Sequence, residues 1–249
     1  MVAAAAGSKK SRRQAAAAAI VVIKLSGRVF SGEEDGSEIK KYATMLAGIS
    51  FPSSARKVQP VVVAGGGKVA RHYIGIARGF GLDEASLDIM GIEVSRLNAK
   101  LLIAALGKKA YPAVPEDLEQ VTQAVASGKI VVSGGLHPGQ STNATSALIA
   151  EKVGAARFVN ATDVDGIYDS DPRKNKDARL YSEITTKQCR DLLAGESSMA
   201  GGYDLMDIVA LKVIERSKIP TVVIKSEPVV IRDVILKNRA AGTKIITDV

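Results

Sequence analysis

Four short stretches of this chain hold residues whose types and spacing suit chemistry on phosphate. The first is Val61-Val62-Val63-Ala64-Gly65-Gly66-Gly67-Lys68-Val69-Ala70-Arg71: an apolar run, three glycines and two cations. It reads as a buried strand, a tight turn and the first turn of a helix. Three adjacent glycines take three Cβ atoms out of that corner, so a ligand can reach the backbone. The helix start beyond it offers unpaired N–H groups at the positive end of a dipole, a place for phosphate. Lys68 and Arg71 add full charges. The dinucleotide fingerprint and the P-loop spacing are both absent. The same residues also read as a plain strand–helix turn carrying two solvated cations.

The second stretch is Ile20–Leu25, an apolar β-branched strand interrupted by Lys24, with Ser26-Gly27-Arg28 turning out of it. A lysine at the end of a buried run is rarely there for packing, although it can snorkel from a sheet edge. The third is Gly134-Gly135-Leu136-His137-Pro138-Gly139-Gln140-Ser141-Thr142, a second glycine-rich loop that leads into a helix. His137 alone reads as a turn residue. With only His72 besides, no His/Cys metal cluster is available. The fourth is Ala161-Thr162-Asp163-Val164-Asp165-Gly166-Ile167-Tyr168-Asp169-Ser170-Asp171-Pro172. Its aspartates read as a solvated loop, since their spacing is not that of a calcium loop. Its Thr, Asp and Tyr residues also suit a nucleoside.

Each stretch follows a predicted strand: Ile20–Leu25, Val61–Ala64, Lys129–Ser133 and Ala156–Asn160. Between them the pattern predicts helices from about Glu38 to Gly48, from Gly67 to near Gly79, over Asp88–Leu106, over Glu116–Ala126 and from Asn143 to Val153. Ala110–Val114 reads as a short strand. A capping box, Thr185-Thr186-Lys187-Gln188, opens a helix to Leu193. Gly195–Gly202 reads as a flexible loop. The chain closes with helix Leu205–Ser217, strand Pro220–Lys225, helix Val229–Leu236 and strand Lys244–Thr247. Alternating strands and helices predict an α/β fold with a mainly parallel sheet. In such sheets ligands sit outside the carboxyl ends of the strands, which would gather the four stretches at one edge. The broad apolar face of Asp88–Leu106 suggests burial on more than one side, as in a subunit interface.

The 249 residues suffice for a core of their own. The net charge is +8, but residues 1–19 supply +4 of it through Lys9, Lys10, Arg12 and Arg13. They read as a disordered Ala/Lys/Arg tail; loss of residues 1–18 should leave stability and activity nearly unchanged, whereas residues 20–25 should not tolerate deletion. Neither a basic stripe on a known motif nor a set of stacking aromatics points to nucleic acid. No segment approaches a membrane span. The single cysteine, Cys189, excludes an internal disulfide and makes a reducing cytoplasm the expected compartment.

Together, Lys24-Leu25-Ser26-Gly27, Gly65–Gly67 with Arg71, Gly134-Gly135 with Pro138-Gly139, and Thr162–Tyr168 with Asp171-Pro172 resemble the amino acid kinase family. The resemblance runs from about Ile20 to the C-terminus. It implies a three-layer αβα sandwich with a largely parallel central sheet, one domain over 20–249. The acceptor would bind about 20–155 and ATP about 156–249. Leu87–Gly91 and His137–Thr142 resemble the branch whose acceptor is UMP, usually a homohexamer using ATP with magnesium.

By that resemblance Lys24 would reach the transferred phosphoryl group, and Gly27, Arg28, Gly67 and Arg71 would line the ATP phosphates. Thr162, Tyr168 and Asp171 would hold the adenosine side. Gly66 would touch UMP and Asp88 its ribose, while Leu136, His137, Pro138, Gly139, Gln140, Ser141 and Thr142 would wrap its phosphate and base. The metal would be held by ATP phosphates and water, with no protein ligand. Two positions depart from the family pattern: Asp163 stands where Asn is frequent, and Asn143 where many members use Asp to orient the lysine. The residues also admit a same-fold kinase for a carboxylate, carbamate or isoprenoid monophosphate, or a non-catalytic binder of nucleotides or oxoanions. Retention of Lys24 favours catalysis.

Overall fold

A computed structural model describes residues 18–31, 35–50, 57–196 and 206–247. Nearly all of the basic tail and most of the 195–202 stretch fall outside these residues. The described elements form one seven-stranded sheet in the order β3-β2-β1-β4-β6-β7-β5. The strands are β1 (Ala19–Leu25), β2 (Val58–Ala64), β3 (Val131–Ser133), β4 (Arg157–Thr162), β5 (Glu183–Thr185), β6 (Thr221–Lys225) and β7 (Thr243–Ile246). All pairings are parallel except β6 with β7.

Alternation along β1 shows why the sheet has two covers. Val21, Ile23 and Leu25 face one core, which holds Leu46 and Ile49 of α1 (Ser37–Ser50), Leu102 of α3 (Glu84–Leu106) and Ile231 of α8 (Pro228–Leu236). Val22 faces the other, with Val121 of α4 (Leu118–Ala126), Ala147 of α5 (Thr142–Lys152) and Leu211 of α7 (Ile208–Ser217). Successive strand residues point to opposite faces, so a central strand buried on both reads as a continuous apolar run. The expected three-layer αβα sandwich is therefore observed. The remaining helices are α2 (Gly67–Gly79) and α6 (Thr186–Glu196). Among the described residues no helix is long and apolar enough to cross a membrane.

Several boundaries differ from the sequence reading, each for a local reason. Helix α3 begins at Glu84, because the Asp83 carboxylate caps it by accepting from Ser86 N at 3.0 Å. Asp88 thus lies in the second turn. Asp117 does the same for α4, accepting from Gln120 N at 2.7 Å, so that helix begins at Leu118. The strand expected at Ala110–Val114 reduces to one bridge between Ala110 and Ile130, since Pro112 and Pro115 lack a donor for a ladder. Strand β5 has three residues at a sheet edge, too few for a periodic signal. The capping box is present and reciprocal. Thr185 N donates to Gln188 Oε1 at 2.9 Å, and Gln188 N to Thr185 Oγ1 at 3.1 Å.

Candidate active site

Sheet order alone marks a crevice. From β1 the chain proceeds outward to β2 and β3, and from β4 it proceeds the other way. The carboxyl ends of β1 and β4 therefore flank the switch point where open α/β sheets hold ligands. Lys24 is the last residue but one of the first strand, and Thr162 ends the other. A cleft of about 870 Å³ lies over them. Of the residues singled out in the sequence, Lys24, Gly27, Arg28, Gly66, Gly67, Arg71, Asp88, Gln140, Ser141, Thr142 and Thr162 line it.

Lys24 is only 9% exposed. By strand alternation it shares the face of Val22, the face covered by α5, whose first residues Thr142 and Asn143 also line the cleft. Arg28, Lys68, Arg71 and Arg173 add four more cations to the walls, against the two carboxylates Asp88 and Asp163. Helix α2 starts at Gly67, and its N-cap Gly66 supplies no side-chain hydrogen bond. Its first N–H groups are open to an anion.

The glycines do more than admit a ligand. A Cβ on Gly27 would stand 2.1 Å from the backbone nitrogen of Gly67. One on Gly67, whose φ is +67°, would stand 2.4 Å from the Gly27 carbonyl oxygen. The turns after β1 and β2 are thus packed backbone on backbone, and the room ascribed to a ligand is partly filled by the protein. Gly134 and Gly135 are likewise pressed onto α3, where a Cβ would meet Ser95 Oγ at 2.7 Å and Ile92 Cγ1 at 2.9 Å respectively.

The loop from Gly134 to Thr142 divides into two parts. Leu136 is buried, His137, Pro138 and Gly139 are exposed, and all four stand apart from the cleft lining. Gly139 N donates to Asp88 Oδ2 at 2.7 Å, which ties the tip of the loop to α3. Ser141 caps α5, accepting from Asn143 N and Ala144 N at 3.0 Å each, and its hydroxyl donates to Asp207.

On the β4 side, Tyr168 and Asp171 also stand outside the cleft lining. The Tyr168 hydroxyl donates to Asp165 at 3.2 Å; burial, then the neighbouring Asp165 charge, push its pKa up. Asp171 accepts from the Arg173 guanidinium at 2.9 and 3.0 Å, and that hydrogen bonding holds its carboxyl below the usual range. Arg173 in turn reaches the cleft and comes within 3.6 Å of Asp163. The negative charge of Asp163 therefore has a cation beside it.

Sequence reasoning missed Arg173 and three residues of α3. Asn98 Nδ2 donates to the Gly65 carbonyl at 2.8 Å. Ser95 Oγ accepts from Gly135 N at 2.7 Å. Arg96 Nε donates to the Gly135 carbonyl at 3.2 Å. The available signal was two polar residues three apart on a helix face that is otherwise apolar and buried.

Among the described residues, no group of three His, Cys, Asp or Glu side chains could hold a metal ion. The two cleft carboxylates are already engaged, Asp88 by Gly139 and Asp163 by Arg173.

A buried lysine and an open helix terminus at the switch point of a parallel sheet define a phosphate-handling α/β protein. The chain belongs to the amino acid kinase family, whose model matches residues 19–225. It is similar to the uridylate kinase of Methanobrevibacter smithii, with 42% identity over 81% of this chain and 88% of that one. The uridylate kinase of Methanocorpusculum labreanum is 43% identical over 89% and 93%. The crystal structure of uridylate kinase from Archaeoglobus fulgidus superposes with a TM-score of 0.79 at 38% identity, covering 90% of this chain and 99% of that one.

Proposed function

We infer that this chain is an ATP-dependent phosphotransferase that moves the γ-phosphoryl group of ATP to UMP, giving ADP and UDP. The observation that carries the chemistry is Lys24, nine-tenths buried at the switch point and facing a cleft with more cations than carboxylates. A second phosphate pKa of about 6 leaves the UMP oxygen mostly ionised at neutral pH, so no general base is required. That oxygen forms the new bond to the γ-phosphorus, and the bond to the bridging oxygen breaks with its electron pair leaving on ADP. The obstacle is repulsion between two polyanions, and catalysis is mainly positioning and charge neutralisation.

In this reading Lys24 meets the transferred group. Gly27, Arg28, Gly67 and Arg71, with the open start of α2, receive the ATP phosphates. Thr162, Tyr168 and Asp171 bound the adenosine side, Asp171 acting through Arg173. Gly66, Asp88 and the Leu136–Thr142 loop receive UMP. Magnesium carried by ATP would neutralise phosphate charge. Residues 20–155 form the acceptor half and 156–249 the ATP half of one domain, meeting at the β1–β4 pairing. A cytoplasmic location fits the single cysteine, which is buried.

Exposed apolar side chains support a homo-oligomer. Val69, Tyr73, Ile76 and Phe80 form a stripe along α2, and Ile89, Leu97 and Leu101 lie on α3, each at least 40% exposed. A contiguous face of that kind marks an interaction surface. A second copy of this chain is the proposed occupant, and the hexamer of the family the proposed assembly.

The test is an assay with ATP, magnesium and a panel of UMP, CMP, AMP and non-nucleotide acceptors. UMP is expected to be turned over well and CMP poorly, because a site built to pair the polar edge of one base rejects another that leaves groups unpaired. Equal turnover of CMP, or preference for a carboxylate, would overturn the assignment.

A further inference from the structure

We propose that α3 is the positioning element of the site, and that Asn98 is the residue through which it fixes the glycine turn. The proposal rests on the phosphotransfer reading above. Asn98 is 5% exposed, and its carboxamide crosses from the helix to a turn 33 residues earlier. There its Nδ2 donates to the Gly65 carbonyl at 2.8 Å, with the Gly66 carbonyl 3.5 Å away. Gly65 N donates in turn to Leu25 O at 3.0 Å, one residue beyond Lys24. Asn98 is thus linked through a single residue to the end of the strand that carries the lysine.

The same helix face anchors the other loop. Ser95, one turn earlier, receives Gly135 N, and Asp88, two turns earlier again, receives Gly139 N. Residues spaced by three, four and seven lie on one side of a helix. One rigid element therefore sets the spacing between the turn that meets the phosphates and the loop that meets the acceptor. Both loops need an anchor from outside, since Gly65 O and Gly135 N lie beyond the ends of β2 and β3 and have no ladder partner among the described residues. A buried carbonyl that loses its donor is costly, and the turn should shift to recover one. Reacting groups displaced by about 1 Å can lose up to about 10²-fold in rate.

The decisive experiment compares Asn98→Ala, Asn98→Ser, Ser95→Ala and Leu102→Ala in the full chain. Leu102 is fully buried on the same helix, in the apolar core, and has no polar group with which to anchor a loop, so its truncation reports packing loss. Both Asn98 variants are expected to lose about 10- to 10²-fold in kcat with UMP. Leu102→Ala should lower the melting temperature at least as far and hold kcat within about two-fold of the parent, assayed where all variants are folded. Ser95→Ala should mainly raise the KM for UMP, by about 5-fold or more, because the anchor removed belongs to the acceptor loop. Hydrogen exchange of a peptide covering residues 64–70 should quicken in the Asn98 variants and not in Leu102→Ala, a readout independent of the substrate. Parent-like kcat and unchanged exchange in either folded Asn98 variant would overturn the proposal. If neither folds, an unchanged KM in Ser95→Ala overturns it. A parent enzyme inactive on UMP but with faster exchange in the Asn98 variants would instead sink the substrate assignment and leave the positioning role standing.

Discussion

Lys24 is the last residue but one of a strand whose other residues from Val21 to Leu25 are apolar and buried. Lysine is rarely buried for packing alone, and in the proposed reaction Lys24 meets the charge that grows on the transferred group. A preorganised donor that acts on developing charge typically contributes about 10²–10³ in turnover. Lys24→Ala is therefore expected to lose about that much kcat while the KM for UMP changes little; turnover within a few-fold of the parent in a folded variant would remove the centre of the mechanism. Asp88 should behave in the opposite way. It lies in the second turn of α3 and holds Gly139 N, so Asp88→Ala removes a clasp on the loop along with the ribose contact proposed for it. Hydrogen bonds to a charged group are each worth about 1.5–3 kcal/mol, so UMP affinity should fall about 10- to 10²-fold, more than kcat falls; isothermal titration with UMP checks it. Cys189 stands outside this chemistry. It is 3% exposed, and burial pushes its thiol up to about 11. A thiol-specific reagent at pH 8 should modify it slowly in the native protein and rapidly in denaturant; fast native labelling would mean that α6 opens.

Glycines separate the elements into those that need one and those that merely contain one. Gly27→Ala would drive a Cβ into the Gly67 backbone, which cannot yield as a side-chain tip could. That variant is expected to be strongly destabilised or inactive. Gly48 sits exposed in α1 with nothing within 4 Å of a built Cβ, so Gly48→Ala should stabilise the protein by about 0.4–1 kcal/mol. Thermal melts of the two variants would test the contrast, and a neutral Gly27→Ala would contradict the packing described. The same glycines mark how far the sequence could be read. Their presence after buried strands placed the cleft, and Lys24 and the Thr185–Gln188 capping box were legible because each breaks or completes a local pattern. What Gly27 and Gly67 press against was not legible, because the contact joins turns 40 residues apart. Asn98 and Arg173 were missed for a related reason, as one reaches a distant turn and the other is aimed by Asp171. Strand β5 escaped because three residues at an edge carry no period. Asp83 and Asp117 moved two helix starts through caps that the apolar pattern does not encode.

At the scale of the whole molecule, the described chain leaves an apolar surface without a cover. On α2 the stripe Val69, Tyr73, Ile76 and Phe80 repeats at intervals of four, three and four, the spacing of one helix face. Phe80 is 78% exposed, and on α3 Leu97 is 56% exposed. Helices α2 and α3 pack against one another, so the two sets belong to adjoining surfaces. Burying apolar area is worth about 25 cal/mol per Å², and two copies of one chain cover a shared apolar face most simply across a two-fold contact. The parent chain is therefore expected to sediment as an oligomer at micromolar concentration. Leu97→Glu with Leu101→Glu would place like charges in that contact, and the assembly should fall to a smaller species while each chain stays folded, because both positions face outward. Since α3 also carries Asp88, Ser95 and Asn98 on its inner side, loss of the contact should reach the cleft, with the KM for UMP rising as the helix loosens. A parent that sediments as a monomer would dismiss the interface. A dissociated double variant with parent-like KM would leave the interface standing and show that α3 holds its loops without support from a second copy.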